Sequence, residues 1–557
     1  MKRSPVTYFS SLCILLVTFF SSCKEERPIN TYLPEDASAV MALRSQDLAA
    51  KMLFENTSDL KLQKLLPLIK EKETQQAAKD ILKALSDPMN SGLNLLADSY
   101  IYTRVQAQEW GILLKVSNVE KLSKSLTEKI TVPHDLYLKE NYKLLVFEKV
   151  PLAIAWNEEV LLINGTEKKN HASLENSTNE VLTLSVEKSL MHLPQFAQLQ
   201  QREADALLFA KSADFDTLTQ IDSKKHDLAY LNLLFHFEEG QLKLDFEQHF
   251  KEAKPLLKAK TDLSPNLDIW NRLDDTQLVS FFNFHYRKEA LLEMAQMYDS
   301  TYFQQLNKAT GLEQETFFSA LNGNMTLACL QSTEETKEVV SYEYDDDFNK
   351  IEVKETQKIR QPNLLLEIGT GTPLTNFLNT LADIGLLKKS QPKNYQLQGL
   401  NFPVLLQQNE ASLFISSNPA FLEDSGEQTS SSDQMKELSK YPVSAFLNFK
   451  KLAEDPMFRR TIDQQTSKKL KNLEDISFYA FQEENIIKGK FELNFTTKEE
   501  NSLKTILQSL PSSQPEEIVD PVDAVEEMEA VSKVADAVEE VATDATEEVE
   551  EVIEVVE

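Results

Sequence analysis

A glycine-containing segment is the first place where residue spacing could indicate chemistry. Gly369–Pro373 follows an apolar run and precedes a helical pattern, which is where phosphate-binding loops lie. Such loops end in Gly-Lys-Ser/Thr or carry a third glycine, and this segment has neither. A helix start accounts for it instead, with Thr372 as the N-cap and Pro373 at the first helical position. The segment therefore predicts a capped turn and no nucleotide cofactor.

Alternating carboxylates suggest a second kind of site. Asp345, Asp347 and Asn349 have the spacing of calcium ligands, but an EF-hand needs Gly at its sixth place and Glu at its twelfth. Lys350 and Thr356 occupy those places. The flanking residues alternate as two strands do, so the acidic residues are predicted to form the turn of a hairpin. No metal site is predicted, and these three residues are the calcium candidate.

The histidines and the internal cysteine do not form a catalytic pattern in the sequence. No pair of histidines has zinc-ligand spacing, and no Gly-x-Ser-x-Gly nucleophile motif is present. His236 and His285 lie in aromatic strands and are predicted to point to the polar face of a sheet. Cys329 lies in an apolar run without a polarising neighbour and is predicted to be a small buried residue. No catalytic residue is predicted.

The N-terminus has the composition of an export signal. Lys2 and Arg3 precede an apolar run from Tyr8 to Phe20, and two serines lead to Cys23. The run is about a dozen residues long, whereas a membrane-spanning helix takes roughly 20. Residues 1–22 are therefore predicted to be a signal peptide that is removed before Cys23.

The residues around the cleavage point resemble the bacterial lipoprotein signal, or lipobox. The resemblance covers Phe20–Cys23 and implies that Cys23 carries the lipid, with residues 23–31 as a lipidated linker. Two or more acyl chains hold a protein firmly on a membrane, because each buried methylene contributes about 0.8 kcal/mol. Lys24, Glu25 and Glu26 look like the surface-export tag of Bacteroidota lipoproteins. This implies the outer membrane with surface exposure, and a periplasm-facing location is the alternative.

The negative charge is concentrated at the C-terminus. The chain carries a formal charge of −30, and Pro515–Glu557 contains 17 acidic residues and one lysine. An acidic protein repels phosphates, so nucleic acid is not predicted as a partner. Val531, Val534, Val538 and Val541 share one helical stripe, whereas dense like charge destabilises an isolated helix. The tail at 515–557 is predicted to be helical or disordered, with an oligomerisation segment or a docking strip for a basic partner or cations as alternatives.

The body shows internal similarity. Each of two regions has an apolar strand beginning at a proline, a turn at an asparagine and a returning strand. The pairs sharing an offset of 252 are Pro151 with Pro403, Asn157 with Asn409, and Ile163 with Ile415. This predicts an α+β fold of two tandem similar halves, residues 32–255 and 262–511. Each half is expected to be a mostly antiparallel sheet with helices packed on one face.

The segments Tyr32–Val40 and Gly111–Leu122 resemble the Bacteroidota lipoproteins of the domain of unknown function 4836 family. The resemblance covers nearly everything between the lipid anchor and the tail. That family implies no activity, cofactor or site residue, so nothing catalytic is carried over to this chain.

These observations favour a membrane-anchored envelope lipoprotein of unknown molecular function, and a non-enzymatic surface binding or scaffold protein fits them best. Two alternatives remain. One is an envelope hydrolase whose site assembles from dispersed carboxylates or histidines. The other is an assembly factor that recruits a protein partner through its acidic tail. A pocket with converging titratable groups would favour the hydrolase, and a broad exposed apolar patch would favour binding.

Overall fold

The computed structural model describes the segments between the linker and the tail. The described residues belong to one compact unit, and a second unit, Lys61–Lys70 with Leu510–Glu557, lies outside the described residues. The signal peptide, Cys23 and the acidic tail also lie outside them. The described residues are 27–51, 72–87, 89–166, 171–211, 228–252, 256–259, 269, 272–273, 275–290, 318–344, 350–371, 374–398, 403–422, 433–458 and 470–509.

Twenty strands in the described ranges form one hydrogen-bonded sheet. The first ten are β1 (Ala39–Leu43), β2 (Ser99–Arg104), β3 (Glu109–Lys115), β4 (His134–Leu138), β5 (Lys143–Phe147), β6 (Leu152–Trp156), β7 (Val160–Thr166), β8 (Ala206–Lys211), β9 (Leu228–Glu238) and β10 (Gln241–Phe250). The other ten are β11 (Leu278–His285), β12 (Leu321–Tyr344), β13 (Lys350–Thr370), β14 (Leu387–Gln391), β15 (Asn394–Leu397), β16 (Val404–Gln408), β17 (Ser412–Ser416), β18 (Val443–Asn448), β19 (Leu473–Glu483) and β20 (Ile486–Phe495).

Helices lie between and after these strands. The α-helices are Ser45–Lys51, Lys72–Leu85, Val119–Lys129, His171–Leu182, Pro194–Gln200, Thr375–Asp383, Asp433–Leu438, Phe449–Glu454 and Ser502–Ser509. Short 3-10 helices are Ile29–Tyr32, Val186–Lys188, Leu190–His192, Asp275–Gln277 and Pro419–Phe421. The predicted mixture of helices with a large antiparallel sheet is confirmed, since the described strand pairs are antiparallel.

The strand order follows from the pairings. In the first part of the chain the order is β4-β5-β6-β7-β3-β2-β1-β8-β9-β10. In the second it is β14-β15-β16-β17-β13-β12-β11-β18-β19-β20. β10 pairs with β20, with Asp245 directly opposite Lys490, and this pairing makes the sheet continuous.

Helices cover the sheet differently in different places. Along β7, Leu162 packs in a core with Leu174 and Val181 of the helix His171–Leu182. Leu161, the preceding residue on the opposite face, packs in another core with Leu126 of the helix Val119–Lys129. The prediction of helices on one face is therefore wrong around β5–β7. There, near-continuous apolar sequence lets both faces bury side chains against helices.

The helices after β3 and β13 are capped in different ways. After β3, Asn118 is the N-cap, and its side chain accepts a hydrogen bond from Lys121 N–H. The helix after β13 begins at Thr375 with Leu374 as the N-cap position. This start lies after the predicted one, and Thr372 and Pro373 themselves lie outside the described residues. The Leu374 N–H donates to Gln408 Oε1 of β16 at 3.2 Å, so a neighbouring strand supplies the missing cap.

Candidate functional site

One face of the ten central strands presents a continuous row of apolar side chains, which we call the apolar face. Cross-strand pairs connect its members in each part of the sheet. Nine of them are half-buried, and Phe282 is 40% exposed. The members are Ile101, Met41, Leu208, Leu233 and Phe246 in the first part, and Leu327, Phe282, Ala445, Phe478 and Phe491 in the second.

The alternation of side chains along each strand produces this face. In a strand, successive side chains point to opposite sides, so the neighbours of the row lie on the other face. On β1, Val40 and Ala42 are buried in the core while Met41 between them is half-buried. On β11, Phe281 is fully buried while Phe282 is exposed. β1 and β11 thus present apolar side chains on both faces, and the packed core lies on one of them.

The β10–β20 pairing carries the row from one part of the sheet to the other. Phe246 of β10 lies opposite Gly489 of β20, where an added Cβ would approach the Phe246 ring to 2.3 Å. Glycine therefore leaves room for the ring. Phe246 also stacks on Phe478 of β19, with ring centroids 5.6 Å apart and planes 5° apart. The stacking of Phe246 on Phe478 keeps the row of apolar side chains in contact across β20, where Gly489 has no side chain.

A polar cluster lies on the opposite face of β9 and β10. Glu247 Oε2 lies 2.8 Å from Arg202 Nη1, 3.4 Å from His249 Nε2 and 3.4 Å from Asn232 Nδ2. The His249 ring stacks on Tyr230 with centroids 4.1 Å apart. Glu247 and His249 share this face because they are two residues apart on one strand. Cross-strand pairing places Asn232 opposite Glu247 and Tyr230 opposite His249.

The electrostatics of this cluster favour a permanently charged carboxylate. The hydrogen bond with His249 lowers the pKa of Glu247 to about 2, with further lowering by Arg202 and Asn232 and an opposing effect of burial. An ionised Glu247 can orient the imidazole and bind cations, but it cannot donate a proton at neutral pH. Asn232 is 5% exposed, and its Oδ1 is buried without a hydrogen-bond partner. The cluster therefore offers one unused acceptor.

A second charged cluster is buried beneath the N-terminal segment. Arg104 Nη2 lies 2.6 Å from Asp36 Oδ2, and Arg104 Nη1 lies 3.1 Å from Glu109 Oε2. Ser177 Oγ donates to Glu109 Oε2 at 2.6 Å. Arg104 is 8% exposed and Glu109 is 7% exposed. These contacts connect the segment before β1 to β2, β3 and the helix His171–Leu182, so the cluster has a structural role.

The site residues predicted from the sequence all lie outside the described residues, so these predictions stay predictions. Asp345, Asp347 and Asn349, the calcium candidate, lie outside the described residues, as do Cys23, Lys24, Glu25 and Glu26. Cys329 is free and half-buried, and burial raises the pKa of its thiol, which makes it less reactive. In the described ranges, no group of three or more His, Cys, Asp or Glu residues is placed to hold a metal ion.

The histidine predictions had different outcomes. His236 is half-buried, and its Nε2 lies 3.4 Å from Asp245 Oδ2, on the polar side of β9. His285 was expected on a polar face but is 3% exposed, so that prediction is wrong. Its Nδ1 lies 2.9 Å from Asn324 Oδ1, and burial lowers its pKa. A hydrogen-bonded neutral imidazole satisfies its polar atom inside the sheet, which allows this burial.

Sequence reasoning did not find the polar cluster. The sequence contains a signal for two members of the cluster. Leu242, Leu244 and Phe246 alternate along one face of β10, so Glu247 and His249 are expected together on the opposite face. Arg202 and Asn232 reach the cluster from elsewhere in the chain, and no local pattern indicates them. Among the described helices, none combines the length and apolar character needed to cross a membrane.

Comparisons with known proteins bear on the fold and the family. No curated protein matches the chain. Crystal form I of TP0453 is 12% identical with a TM-score of 0.26, covering 42% of this chain and 82% of that one. Crystal form IV is 9% identical with a TM-score of 0.26, covering 40% and 81%. A likeness of this size carries no argument about function.

The match to a protein family is extensive. Residues 30–503 match the family described as Domain of unknown function (DUF4836), a range that includes all twenty strands and both clusters. The resemblance at Tyr32–Val40 and Gly111–Leu122 falls inside it. The chain therefore belongs to the DUF4836 family, for which no function is defined.

Proposed function

We propose that this protein is a lipid-anchored envelope protein that binds a protein partner on the apolar face of its central sheet and acts without catalysis. The apolar face is the observation that carries the proposal. Contiguous apolar surface that remains partly open to solvent is typical of interaction sites. Ten side chains from ten neighbouring strands contribute to it.

The dimensions of the face favour a protein partner. Neighbouring strands lie about 4.8 Å apart, so ten strands extend the row to roughly 40 Å along the sheet. That length exceeds a small ligand and suits the roughly 800 Å² that each partner contributes to a standard protein interface. Phe246, Phe282, Phe478 and Phe491 supply the aromatic anchors that such interfaces favour. The partner is therefore expected to present apolar side chains along an amphipathic helix or strand.

The anchoring part of the proposal rests on the N-terminal sequence. Cys23 follows the apolar run and two serines, and acylation there would tether residues 27–509 to a membrane through the linker. Lys24, Glu25 and Glu26 support export to the cell surface of the outer membrane. A binding face on a tethered body would then meet partners in or near the same membrane.

We also propose that the body is an internal duplication. Its support is the identical order of ten strands, joined by nine pairings, in each part of the sheet, together with their cross-strand registers. Each of four neighbouring strands has a counterpart in equivalent register. The counterparts are Met41 with Phe282, Ile101 with Leu327, Ile112 with Leu366, and Ile163 with Ile415. The same correspondence maps Asp245 of β10 onto Lys490 of β20, the residue it faces. An approximate twofold axis at this pair would relate the two halves.

The binding proposal is tested by cross-linking and pull-down from intact cells. Phe282→Glu places a charge at an exposed position on the apolar face. Leu386→Glu is the control, because it places a charge at a 47% exposed leucine outside that face, in the turn before β14. Recovery of cross-linked partners should fall at least tenfold for Phe282→Glu and remain at the wild-type level for Leu386→Glu. Equal recovery with both variants would contradict a role for the apolar face.

The anchor is tested separately. Cys23→Ser removes the sulfur to which lipid would be attached, and the variant should move from the membrane fraction to the soluble fraction. Protease added to intact cells should digest the wild-type protein if it is surface-exposed. A Cys23→Ser variant that remains as firmly in the membrane fraction would refute the anchor and leave the apolar-face result standing.

The polar cluster favours a second candidate function, an envelope hydrolase. Glu247 could orient His249 as a general base, and the Tyr230 ring stacks on the imidazole. A panel of fluorogenic ester, glycoside and peptide substrates, compared between wild type and His249→Ala, tests it. Turnover lost with the substitution would favour the enzyme over the binding protein.

The acidic tail favours a third candidate, an assembly factor that recruits a basic partner. The supporting observation is the 17 acidic residues against one lysine in Pro515–Glu557. Deleting residues 515–557 should abolish a captured partner if the tail recruits it, and should leave capture unchanged if the apolar face does.

A further inference from the structure

The first edge of the sheet is open and apolar. β4 pairs with β5, and no other described strand pairs with it. Three consecutive residues in it are exposed: Leu136 by 44%, Tyr137 by 42% and Leu138 by 76%. Because successive residues of a strand point to opposite faces, large apolar side chains are exposed on both faces of this edge. Exposed apolar edge strands readily pair with another strand.

The hydrogen bonds of β4 determine which backbone groups are available. Lys139 N–H donates to Tyr142 O at 3.0 Å, so Lys139 belongs to the residues whose backbone groups face β5. Tyr137 and Asp135 face β5 as well, because the pattern alternates along an antiparallel strand. The backbone N–H and C=O groups of Leu136 and Leu138 therefore point to the open edge.

The other edge of the sheet has the opposite character. β14 pairs with β15 at the corresponding place in the strand order. Lys388, Lys389 and Ser390 are exposed there, whereas Leu387 is 4% exposed. Lysines on an edge strand oppose pairing with another strand. The molecule thus protects one edge with charge and leaves the other apolar.

We infer that β4 pairs antiparallel with β4 of a second copy of this chain, with Tyr137 on the twofold axis. In that register, Asp135 of each copy lies opposite Lys139 of the other, which gives two opposite-charge pairs. Leu136 lies opposite Leu138 twice, and these are the residues whose backbone groups face the open edge. Side-chain charge and backbone hydrogen bonding therefore agree on one register.

The symmetry of the segment is the reason for choosing a second copy over an unrelated partner. The sequence Asp135-Leu136-Tyr137-Leu138-Lys139 is complementary to itself when reversed, as a twofold interface requires. Shifting the centre by one residue to Leu136 places Asp135 opposite Tyr137 and loses both charge pairs. In the monomer, Lys139 Nζ lies 2.5 Å from Glu175 Oε1, so in the dimer it would lie between two carboxylates.

Charge variants in combination test the register. Two differently tagged copies of the full chain are expressed in one cell, and the amount of one copy that co-purifies with the other is measured. Asp135→Lys paired with itself and Lys139→Asp paired with itself place like charges opposite each other, so co-purification should fall at least tenfold. Asp135→Lys paired with Lys139→Asp restores both opposite-charge pairs and should recover most of the wild-type signal.

This comparison includes its own folding control. Each variant alone should not co-purify with itself, whereas the two variants expressed together should co-purify, which requires both to be folded. Absence of co-purification for the wild type would overturn the inference. Co-purification that is equal for all four combinations would overturn it as well.

Disulfide trapping provides an independent test. Tyr137→Cys in a Cys329→Ala background should form a disulfide-linked dimer on a non-reducing gel, because residues on the axis of a non-hydrogen-bonded pair have Cα atoms about 4.5 Å apart. The matched control is Lys389→Cys on β14 in the same background, which should remain monomeric. The inference is refuted if the Tyr137→Cys variant remains monomeric, or if the Lys389→Cys control forms disulfide-linked dimers to the same extent.

Discussion

At the scale of single residues, the contacts of Glu247 lead to a prediction about pH dependence. Its folded-state pKa of about 2 lies below the ordinary value of 4.5. The ionised form therefore stabilises the fold above pH 4.5, and this contribution is lost as the pH falls from 4.5 towards 2. Glu247→Gln should lower the free energy of unfolding at pH 7 by about 1–3 kcal/mol, because charge-assisted hydrogen bonds are lost.

The measurement is urea denaturation of both proteins between pH 3 and pH 7. Wild type should lose stability more steeply than Glu247→Gln below pH 4.5. Glu492→Gln is the control: Glu492 Oε1 lies 3.0 Å from Lys490 Nζ in a more exposed ion pair, so its loss should cost less than about 1 kcal/mol. Parallel pH profiles for wild type and Glu247→Gln would contradict the assigned role.

Local sequence patterns predicted some residue environments and missed others for identifiable reasons. The alternation in β11 is real, since His285 and Phe284 occupy different faces. Which face is buried depends on the elements packed against it, and Phe281 and His285 are the buried members here. The apolar character of the phenylalanines favours burying their face of the strand. The hydrogen bond with Asn324 lowers the free-energy cost of burying His285. A partner 39 residues away in sequence leaves no local pattern.

At the scale of elements, β2 and β3 provide a test of the proposed duplication. Arg104 lies directly opposite Glu109 on these strands, and the corresponding positions of β12 and β13 hold Leu330 opposite Asn363. Arg104→Leu should destabilise the protein by about 3–5 kcal/mol, because Glu109 is left buried without its cation. Adding Glu109→Asn removes the stranded charge and should recover more than half of that loss.

Thermal or chemical denaturation of the two variants measures this recovery. The single variant Glu109→Asn serves as the control, because it leaves Arg104 with the more exposed partners Asp36 and Glu180. A double variant that is no more stable than Arg104→Leu alone would show that the two positions are not exchangeable. It would also weaken the correspondence between the two parts of the sheet.

A second cross-strand pair of β2 and β3 can be compared with its proposed counterpart in β12 and β13 for side-chain volume. Tyr102 lies opposite Gly111, and a Cβ added at Gly111 would come within 2.3–2.5 Å of the tyrosine ring. The corresponding pair is Ala328 opposite Leu365, so the large residue changes strand. Both arrangements fill a tightly packed interior, so the proposed duplication is compatible with an exchange of large and small residues between paired strands.

Element boundaries were less predictable than element types. The strand-to-helix step after β13 was correctly expected, but the N-cap position is Leu374. The contact at this cap comes from Gln408 on another strand, so no local sequence rule could locate it. Helix ends are generally set by whichever polar group satisfies the first free N–H groups.

At the scale of the whole molecule, the matches at an offset of 252 that predict a repeat are visible in the sequence, and the joining of the sheet is not. Prolines, asparagines and isoleucines recur at turn and strand positions, where local chemistry requires them. The β10–β20 pairing joins segments about 245 residues apart, and its register depends on cross-strand packing such as Phe246 over Gly489. The extent of one continuous sheet therefore required the structure.

This continuity leads to a prediction about cooperativity. Gly240 O accepts from Phe495 N–H, so the backbone groups of Gln248, in the same alternation, face β20. Gln248→Pro removes one donor from this central junction and distorts the strand, since proline is excluded from sheet interiors. Differential scanning calorimetry should show a single main transition for wild type and two resolved transitions for Gln248→Pro. Gln248→Thr retains the N–H and should behave as wild type. Two transitions in the wild type would mean that the parts of the sheet unfold independently despite their shared strand pairing.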